Sequence, residues 1–300
     1  MSSEASVVCI GAFDGVHRGH QLLIAHGREQ ADQLNVPLIA VTFDPHPRTI
    51  LRTEGAPVSL CTLERRIEYL LDAGADEVDV IEFDADLAAL TAREFIDEVI
   101  VEGLHAAAVV VGEDFRFGEQ GSGSAQTLMQ VGSELGFTAT AVSLFLEDDE
   151  KVSSSRIRDV VLSGDVLNAA RLLGRPYSLD GLVVHGDHRG RDLGYPTANL
   201  EWQGHPAIPV DGVYASFLCV GGKYLPAATS VGVNPQFDGQ VRRVETYVLD
   251  RTDLDLYGEE VTVEFVEFLR PQQTFDSLAE FIEQMGRDVA RARALTAGLG

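Results

Sequence analysis

Cysteine is scarce in this 300-residue chain: Cys9, Cys61 and Cys219 are the full set. Three thiols, none in Cys-x-x-Cys spacing, exclude a disulfide framework and argue against a structural zinc or a redox dithiol. Lysine is scarcer still: Lys151 and Lys223 are the two lysines among 23 basic residues, and the rest are arginines. Positive charge as a whole is outnumbered, 23 basic against 47 acidic side chains, for a formal charge of −24. That balance argues against broad nucleic-acid binding, which needs a basic footprint. Small anionic ligands remain open to it, because a few arginines and helix N-termini suffice to hold them. An acidic, lysine-poor surface suits solubility in high salt; compositional drift would produce the same numbers. No apolar run approaches the roughly 20 residues of a membrane helix. The start, Met-Ser-Ser-Glu, lacks the basic and apolar regions of a signal peptide. These absences predict a soluble, cytoplasmic protein without membrane or nucleic-acid partners, with self-association left open.

Enough apolar surface is present for more than one core. Hydrophobic residues make up 45% of the chain, and the length fits two domains at roughly 100–200 residues each. In the first half, Val7–Ile10, Leu38–Phe43, Val78–Phe83, Ala106–Gly112 and Thr138–Leu144 read as short buried strands. Amphipathic stretches at Gln21–Leu34, Leu63–Ala73, Thr91–Leu104 and Ala125–Leu135 separate them, with two further helices at Arg156–Ser163 and Val166–Leu173. Such alternation predicts an α/β domain, a doubly wound parallel sheet with helices on both faces, over residues 1–174. Gly121-Ser-Gly-Ser124 reads as its most flexible loop. From Leu179 onward helical periodicity gives way to β-rich runs at Leu182–His185, Val213–Val220, Ala227–Val233, Val244–Leu249 and Val261–Phe268. Glycines and prolines punctuate them, which predicts a small antiparallel β-barrel over residues 175–300. A terminal helix should start at an Asp276 cap and bury a stripe of Leu278, Phe281, Ile282 and Met285.

The sharpest local feature of the first half is Gly11-Ala-Phe-Asp-Gly-Val-His-Arg-Gly-His20. It follows a strand and opens a helix, the place where α/β sheets bind ligands and where unpaired N–H groups suit phosphate. His17 and His20 lie three apart at the helix start, and Gly19 lets a ligand approach the backbone. The pair reads as phosphate donors, as a zinc pair or as turn caps; no third zinc ligand follows at ordinary spacing. The pattern is neither GxGxxG nor GxxxxGK[ST], which lowers dinucleotide-fold oxidoreductases and P-loop enzymes. Val152-Ser-Ser-Ser-Arg-Ile-Arg158 places hydroxyls and arginines at a second helix start, where a plain serine cap is the commoner meaning.

In the second half, His185-Gly-Asp-His-Arg-Gly-Arg-Asp-Leu-Gly-Tyr-Pro-Thr-Ala-Asn-Leu200 supplies hard oxygens at Thr197 and Asn199 and cations at Arg189 and Arg191. Those oxygens suit magnesium bound to nucleotide, and the cations suit phosphate. A glycine-rich hairpin with solvated charges is the plainer account of that loop alone. Downstream, Glu245 sits inside a β-forming run, where a surface strand glutamate is the usual meaning.

Taken together, the first two motifs resemble the HxGH nucleotidyltransferases. Phe43-Asp-Pro-His-Pro47 and Val111-Gly-Glu-Asp-Phe-Arg-Phe-Gly118 narrow the resemblance to the FMN adenylyltransferase module of bacterial bifunctional FAD synthetases. Pro196-Thr-Ala-Asn199, with Pro209-Val-Asp-Gly-Val-Tyr214, Ser230-Val-Gly-Val-Asn-Pro235 and Val244-Glu-Thr-Tyr247, resembles riboflavin kinase, the second module of the same enzymes. The resemblance implies two reactions: ATP phosphorylates riboflavin to FMN, and ATP adenylylates FMN to FAD with release of pyrophosphate. It implies that Gly11, Phe13, Asp14, His17, Gly19, His20 and Asp114 hold the ATP of the second reaction, with Ser153, Ser154 and Arg158 steadying the pyrophosphate. Phe43, Pro45, His46 and Pro47 would border the flavin. In the kinase, His185, Gly186, Arg189, Arg191, Gly194, Thr197 and Asn199 would bind ATP. Thr197 and Asn199 would also face Mg2+, Glu245 would be the base, and Arg287 and Asp288 would flank the flavin. Ser155 stands where threonine is common in the family, and Gln236 where threonine is usual. The rivals are a cytidylyltransferase or pantetheine-phosphate adenylyltransferase with an accessory barrel, and a non-catalytic flavin-binding protein.

Overall fold

The computed structural model describes residues 5–51, 57–185, 195–233 and 242–298. The chain forms two compact units: residues 1–58 with 62–154, and residues 59–61 with 155–300. The sequence places the end of the first domain near Gly174; the compact units divide after Ser154.

Five parallel strands build the first unit: β1 (Ser6–Ile10), β2 (Leu38–Asp44), β3 (Glu77–Glu82), β4 (Ala106–Gly112) and β5 (Thr138–Val142). Their order is β3-β2-β1-β4-β5, so the direction of winding reverses between β1 and β4. Side chains alternate across the sheet, and both faces are covered. Val7 and Cys9 of β1 face one core with Leu23, Ile24 and Ala31 of α1 (Arg18–Leu34) and Leu70 of α2 (Leu63–Asp72). Val8 and Ile10 face the other core with Phe95, Ile96 and Ile100, and with Leu128 of α3 (Ala125–Leu135). The thiol of Cys9 sits wholly inside, and burial pushes its pKa far up, so it is inert.

Two local expectations about the first unit need correction. The segment Thr91–Leu104 is not one regular helix. Thr91 caps a single turn at Ala92–Glu94, and a π-helix follows over Phe95–Gly103. That winding seats Phe95, Ile96 and Ile100 together on the sheet. Gly123 and Ser124 are not a loose loop. They pair with Arg116 and Phe117, and the Ser124 hydroxyl caps α3.

In the second unit, α4 (Ser154–Leu162, entered from the last residue of the first unit) and α5 (Val166–Leu173) precede six antiparallel strands: β6 (Tyr177–Val184), β7 (Thr197–Glu201), β8 (Gly212–Val220), β9 (Lys223–Val233), β10 (Arg242–Val248) and β11 (Glu260–Pro271). They close into a barrel in the order β6-β7-β10-β9-β8-β11. Inside it, Ser216, Thr229 and Thr246 form a fully buried hydroxyl chain, with oxygens 2.7 and 2.9 Å apart. The chain satisfies three polar groups that would otherwise be costly to bury.

Helix α6 (Leu278–Thr296) starts one residue later than expected, at a Ser277 cap that accepts from the Glu280 N–H. The predicted apolar stripe is not its docking face. Leu278 is 59% and Ile282 38% exposed, whereas Asp288, Ala292 and Thr296 are buried. Docking uses the far half of the helix, where Arg270 grips Asp288 with three hydrogen bonds of 2.8–3.1 Å.

Ile24 pins α1 to the sheet with no exposed surface. Ile24→Ala should cost about 2–5 kcal/mol through lost burial and the cavity left behind. Calorimetry should show a lower transition for the first unit; a change under ~1 kcal/mol would contradict this packing account.

Candidate active sites

The first cluster forms where β1 ends at the switch in winding. The loop from Gly11 to His17 carries residues in the left-handed backbone region: Phe13 at φ 49°, Gly15 at φ 76° and Val16 at φ 35°. For a β-branched residue such as Val16 this is strained backbone, of order 1–3 kcal/mol. Full burial of Phe13 and Val16 holds it, as does a hydrogen bond of 2.9 Å from the Gln21 amide to the Val16 carbonyl. Strain of this kind persists where a loop must present fixed groups.

The loop ends in His17, which caps α1. Its Nδ1 accepts the His20 backbone N–H at 3.4 Å, and the two imidazoles stack with centroids 3.6 Å apart. The Phe13 ring meets His20 edge-on at 5.1 Å. A Cβ at Gly19 would lie 3.2 Å from the His17 ring, so glycine keeps this helix start open. The capping meaning of His17 is therefore present in the structure. It leaves the ring at the positive end of α1, where anions are favoured.

Asp14 and Ser154 meet beside this loop, and Phe43, His46 and Asp114 lie on the segments that end or follow β2 and β4. Asp14 is buried, and its carbonyl accepts the Ser154 hydroxyl at 2.9 Å, which brings the serine-rich segment to the histidine loop. Ser153 precedes that contact; Arg158, one turn along α4, is buried and belongs to the second unit. Asp114 follows β4 and is ion-paired with Lys151. At the end of β2, Phe43 is buried and meets Phe83 edge-on at 5.7 Å. The Asp44–Pro45 bond is cis, and His46 Nδ1 accepts the Arg48 N–H at 3.1 Å, while Pro47 opens the short helix Pro47–Leu51.

Sequence reasoning missed Arg18, Thr42, Arg66 and Lys151. Arg18 pairs with Glu147 at 2.7 Å and lies 4.5 Å from the centre of the Phe145 ring, at the start of α1. Thr42 donates to the Ala12 carbonyl at 3.1 Å. Arg66 was visible as a charge inside the Leu63, Ile67, Leu70 stripe of α2. Lys151 had a signal in its rarity.

The second cluster is set by strand register. Opposite residues of antiparallel strands share a face. Asn199 of β7 stands directly opposite Glu245 of β10, and Glu245 opposite Ser230 of β9. Thr197, two residues before Asn199 and so on the same face, pairs with Tyr247. The Pro-Thr-Ala-Asn motif is thus partly a strand, where its glycine-rich context predicts a loop. Gln272 spans the row's edge, donating to the Ser230 hydroxyl and the Val231 carbonyl, each at 2.9 Å. Thr197, Asn199 and Glu245 are all half-buried.

His185 is exposed and stacks on Tyr257 at 4.0 Å. Burial, ahead of the nearby Asp250 charge, raises the Tyr247 phenol's pKa. Arg287 pairs with Glu283 at 2.7 Å and is exposed, while Asp288 is taken by Arg270. Gly186, Arg189, Arg191, Gly194 and Gln236 lie outside the described residues. Among the described residues no group of three or more His, Cys, Asp or Glu side chains forms a metal cage.

Comparison with known proteins gives one answer from end to end. A family model described as FAD synthetase matches residues 1–156, and one described as riboflavin kinase matches residues 173–296. The bifunctional riboflavin kinase/FMN adenylyltransferase of Escherichia coli strain K12 is 38% identical over 291 residues, covering 97% of this chain and 92% of that protein. The protein of the same name from Pseudomonas fluorescens is 39% identical over 292 residues, covering 97% and 93%. A crystal structure named as a macrolide-efflux protein from Streptococcus pneumoniae superposes with a TM-score of 0.89 at 32% identity, over 98% of this chain and 95% of that one. Efflux belongs to that protein's name; no described helix here is long and apolar enough to cross a membrane. With both family models in order and such identity along its length, the chain belongs to the bifunctional riboflavin kinase/FMN adenylyltransferase family.

Proposed function

We propose that the chain makes FAD from riboflavin in two ATP-dependent steps, one at each cluster. One observation supports the reading: each unit holds its own cluster of predicted site residues, the stacked histidines at a helix start and the Asn199–Glu245 row on the barrel. An accessory barrel would need no such row. The functional division assigned is 1–174 for the adenylyltransferase and 175–300 for the kinase, in the cytoplasm, without nucleic acid or membrane as partner.

In the kinase, Glu245 accepts the proton of the riboflavin ribityl hydroxyl as that oxygen attacks the γ-phosphorus of ATP; FMN and ADP result. Thr197 and Asn199 offer a hydroxyl and an amide oxygen on the face that carries Glu245, a donor set that fits Mg2+ bound to nucleotide. The ion supplies charge neutralisation on the phosphates. His185, Gly186, Arg189, Arg191 and Gly194 are assigned to the same ATP, and Arg287 and Asp288 to the flavin edge.

In the adenylyltransferase, the FMN phosphate attacks the α-phosphorus of ATP directly, and pyrophosphate leaves. No covalent enzyme intermediate is needed. Positioning and stabilisation of developing charge carry catalysis. His17 and His20 donate to the phosphates, with Gly11, Phe13, Asp14 and Gly19 shaping the loop and Asp114 holding the nucleotide. Ser153, Ser154 and Arg158 steady the pyrophosphate, and Phe43, Pro45, His46 and Pro47 border the flavin.

Two variants separate the reactions. Replacing His17 and His20 together by alanine should cut FAD formation from supplied FMN by orders of magnitude, since one such donor is typically worth about 2.7–4 kcal/mol. Riboflavin phosphorylation by the same protein should stay near wild type; equal loss of both would contradict separate sites. Glu245→Gln keeps the shape but cannot take a proton, so FMN formation should fall ~10²–10⁴-fold while FAD formation from FMN survives. A kinase rate within a few-fold of wild type would make Glu245 an ordinary strand residue.

A further inference from the structure

Arg66 is 4% exposed, on the inner side of α2. Burying a guanidinium is costly unless it is paired, yet no carboxylate of the described residues pairs with it, and its Nε is buried without a hydrogen-bond partner. Its Nη1 makes two bonds, to the Thr42 hydroxyl at 3.2 Å and to the Phe43 carbonyl at 3.0 Å. Thr42 is itself fully buried, and its hydroxyl donates onward to the Ala12 carbonyl at 3.1 Å. Arg66 therefore holds the strand end that leads into Phe43-Asp-Pro-His-Pro47 and, through one hydroxyl, the loop that leads into His17.

Those are the two loops that the adenylyltransferase reading gives to FMN and to ATP. Both ligands meet at phosphate: an FMN phosphate oxygen must approach the α-phosphorus of ATP in line. Two anions brought together repel. A fixed cation beneath the junction of the loops offsets that repulsion without the reorganisation that water would need. A buried charge without a counter-ion among the described residues, at such a place, suits a site arranged for anions.

We propose that Arg66 is a positioning residue of the FMN adenylyltransferase reaction: it locks the flavin-side loop to the nucleotide-side loop through Phe43 and Thr42, and its buried charge favours the approach of the two substrate phosphates. This inference rests on the adenylyltransferase reading. It predicts that Arg66 governs the chemical step more than the binding of either substrate, because each loop still binds its ligand when the lock is open.

The test uses the full chain. Arg66→Met keeps length and removes charge; Arg66→Lys keeps charge and loses the planar fork; Thr42→Val removes the link to Ala12. Each is assayed for FAD formation from FMN and ATP, for KM of both substrates and for riboflavin phosphorylation. Circular dichroism reports the fold. Arg66→Met should lower kcat for FAD formation ~10²-fold, the size of effect that a misplacement of about 1 Å can have. The KM values should move only a few-fold and the kinase rate should hold. Arg66→Lys should recover at least tenfold of the loss. Thr42→Val should lower kcat in the same direction, and its effect should not multiply with that of Arg66→Met. If Arg66→Met fails to fold, Arg66→Lys and Thr42→Val decide: both at wild-type kcat would overturn the inference. Arg66→Met with wild-type kcat overturns it too, as does a parallel rise in both KM values with kcat unchanged. A wild-type protein that makes no FAD overturns the adenylyltransferase reading and this inference together; a wild type that makes FAD beside an equally active Arg66→Met overturns this inference alone.

Discussion

Phosphate groups repel one another, and a chain of formal charge −24 repels them further. Sites for ATP and FMN must work against that repulsion. In the first unit, four positive features stand at the loops that end β1, β2 and β4: the start of α1 with its stacked imidazoles, Arg18 paired with Glu147, Lys151 paired with Asp114, and the buried Arg66. Helix N-termini and short-range donors act within a turn or so. An acidic exterior is therefore compatible with local anion binding. Dissolved ions screen the remote surface charges over roughly 8–10 Å at ordinary salt.

Backbone topology does the placing in both units, by different means. In the parallel sheet, the reversal of winding between β1 and β4 opens a crevice at the strand ends. The loops after β1, β2 and β4 gather there because parallel strands all end on the same side. In the barrel, closure fixes the register, and the register sets Asn199, Glu245 and Ser230 in one row. A slip of one residue in β10 would turn Glu245 inward and Thr246 outward. The buried hydroxyl chain of Ser216, Thr229 and Thr246 resists that slip, since each hydroxyl would lose its partner.

The doubly wound sheet and the barrel were legible in the sequence because apolar runs, turns and amphipathic periods alternate cleanly. Ala106–Gly112, Ala125–Leu135 and Val166–Leu173 have the bounds their patterns predict. The π-helix at Phe95–Gly103 was not legible, since a helical period of apolar residues does not distinguish hydrogen-bond spacing. Nor was the docking face of α6: Leu278 and Ile282 are as apolar as core residues, but the buried Arg270–Asp288 pair, a long-range contact, decides which half of the helix docks. The motif residues announced themselves by type and order. Thr42 did not, because a threonine in a strand looks ordinary until the fold brings it beside Ala12; Arg66 showed as a charge inside the α2 stripe, but its partners in β2 did not show. The strand register that aligns Asn199 with Glu245 is likewise set by pairing between segments about 45 residues apart, which spacing along one chain does not encode.

The central claim is that one chain holds two complementary sites used in sequence. It is tested most directly by incubating the purified full-length protein with riboflavin, ATP and magnesium and separating the flavins by chromatography over time. The account predicts that FMN accumulates first and FAD follows as FMN is consumed. Riboflavin left unchanged, or FMN that accumulates and is never converted to FAD, would contradict it.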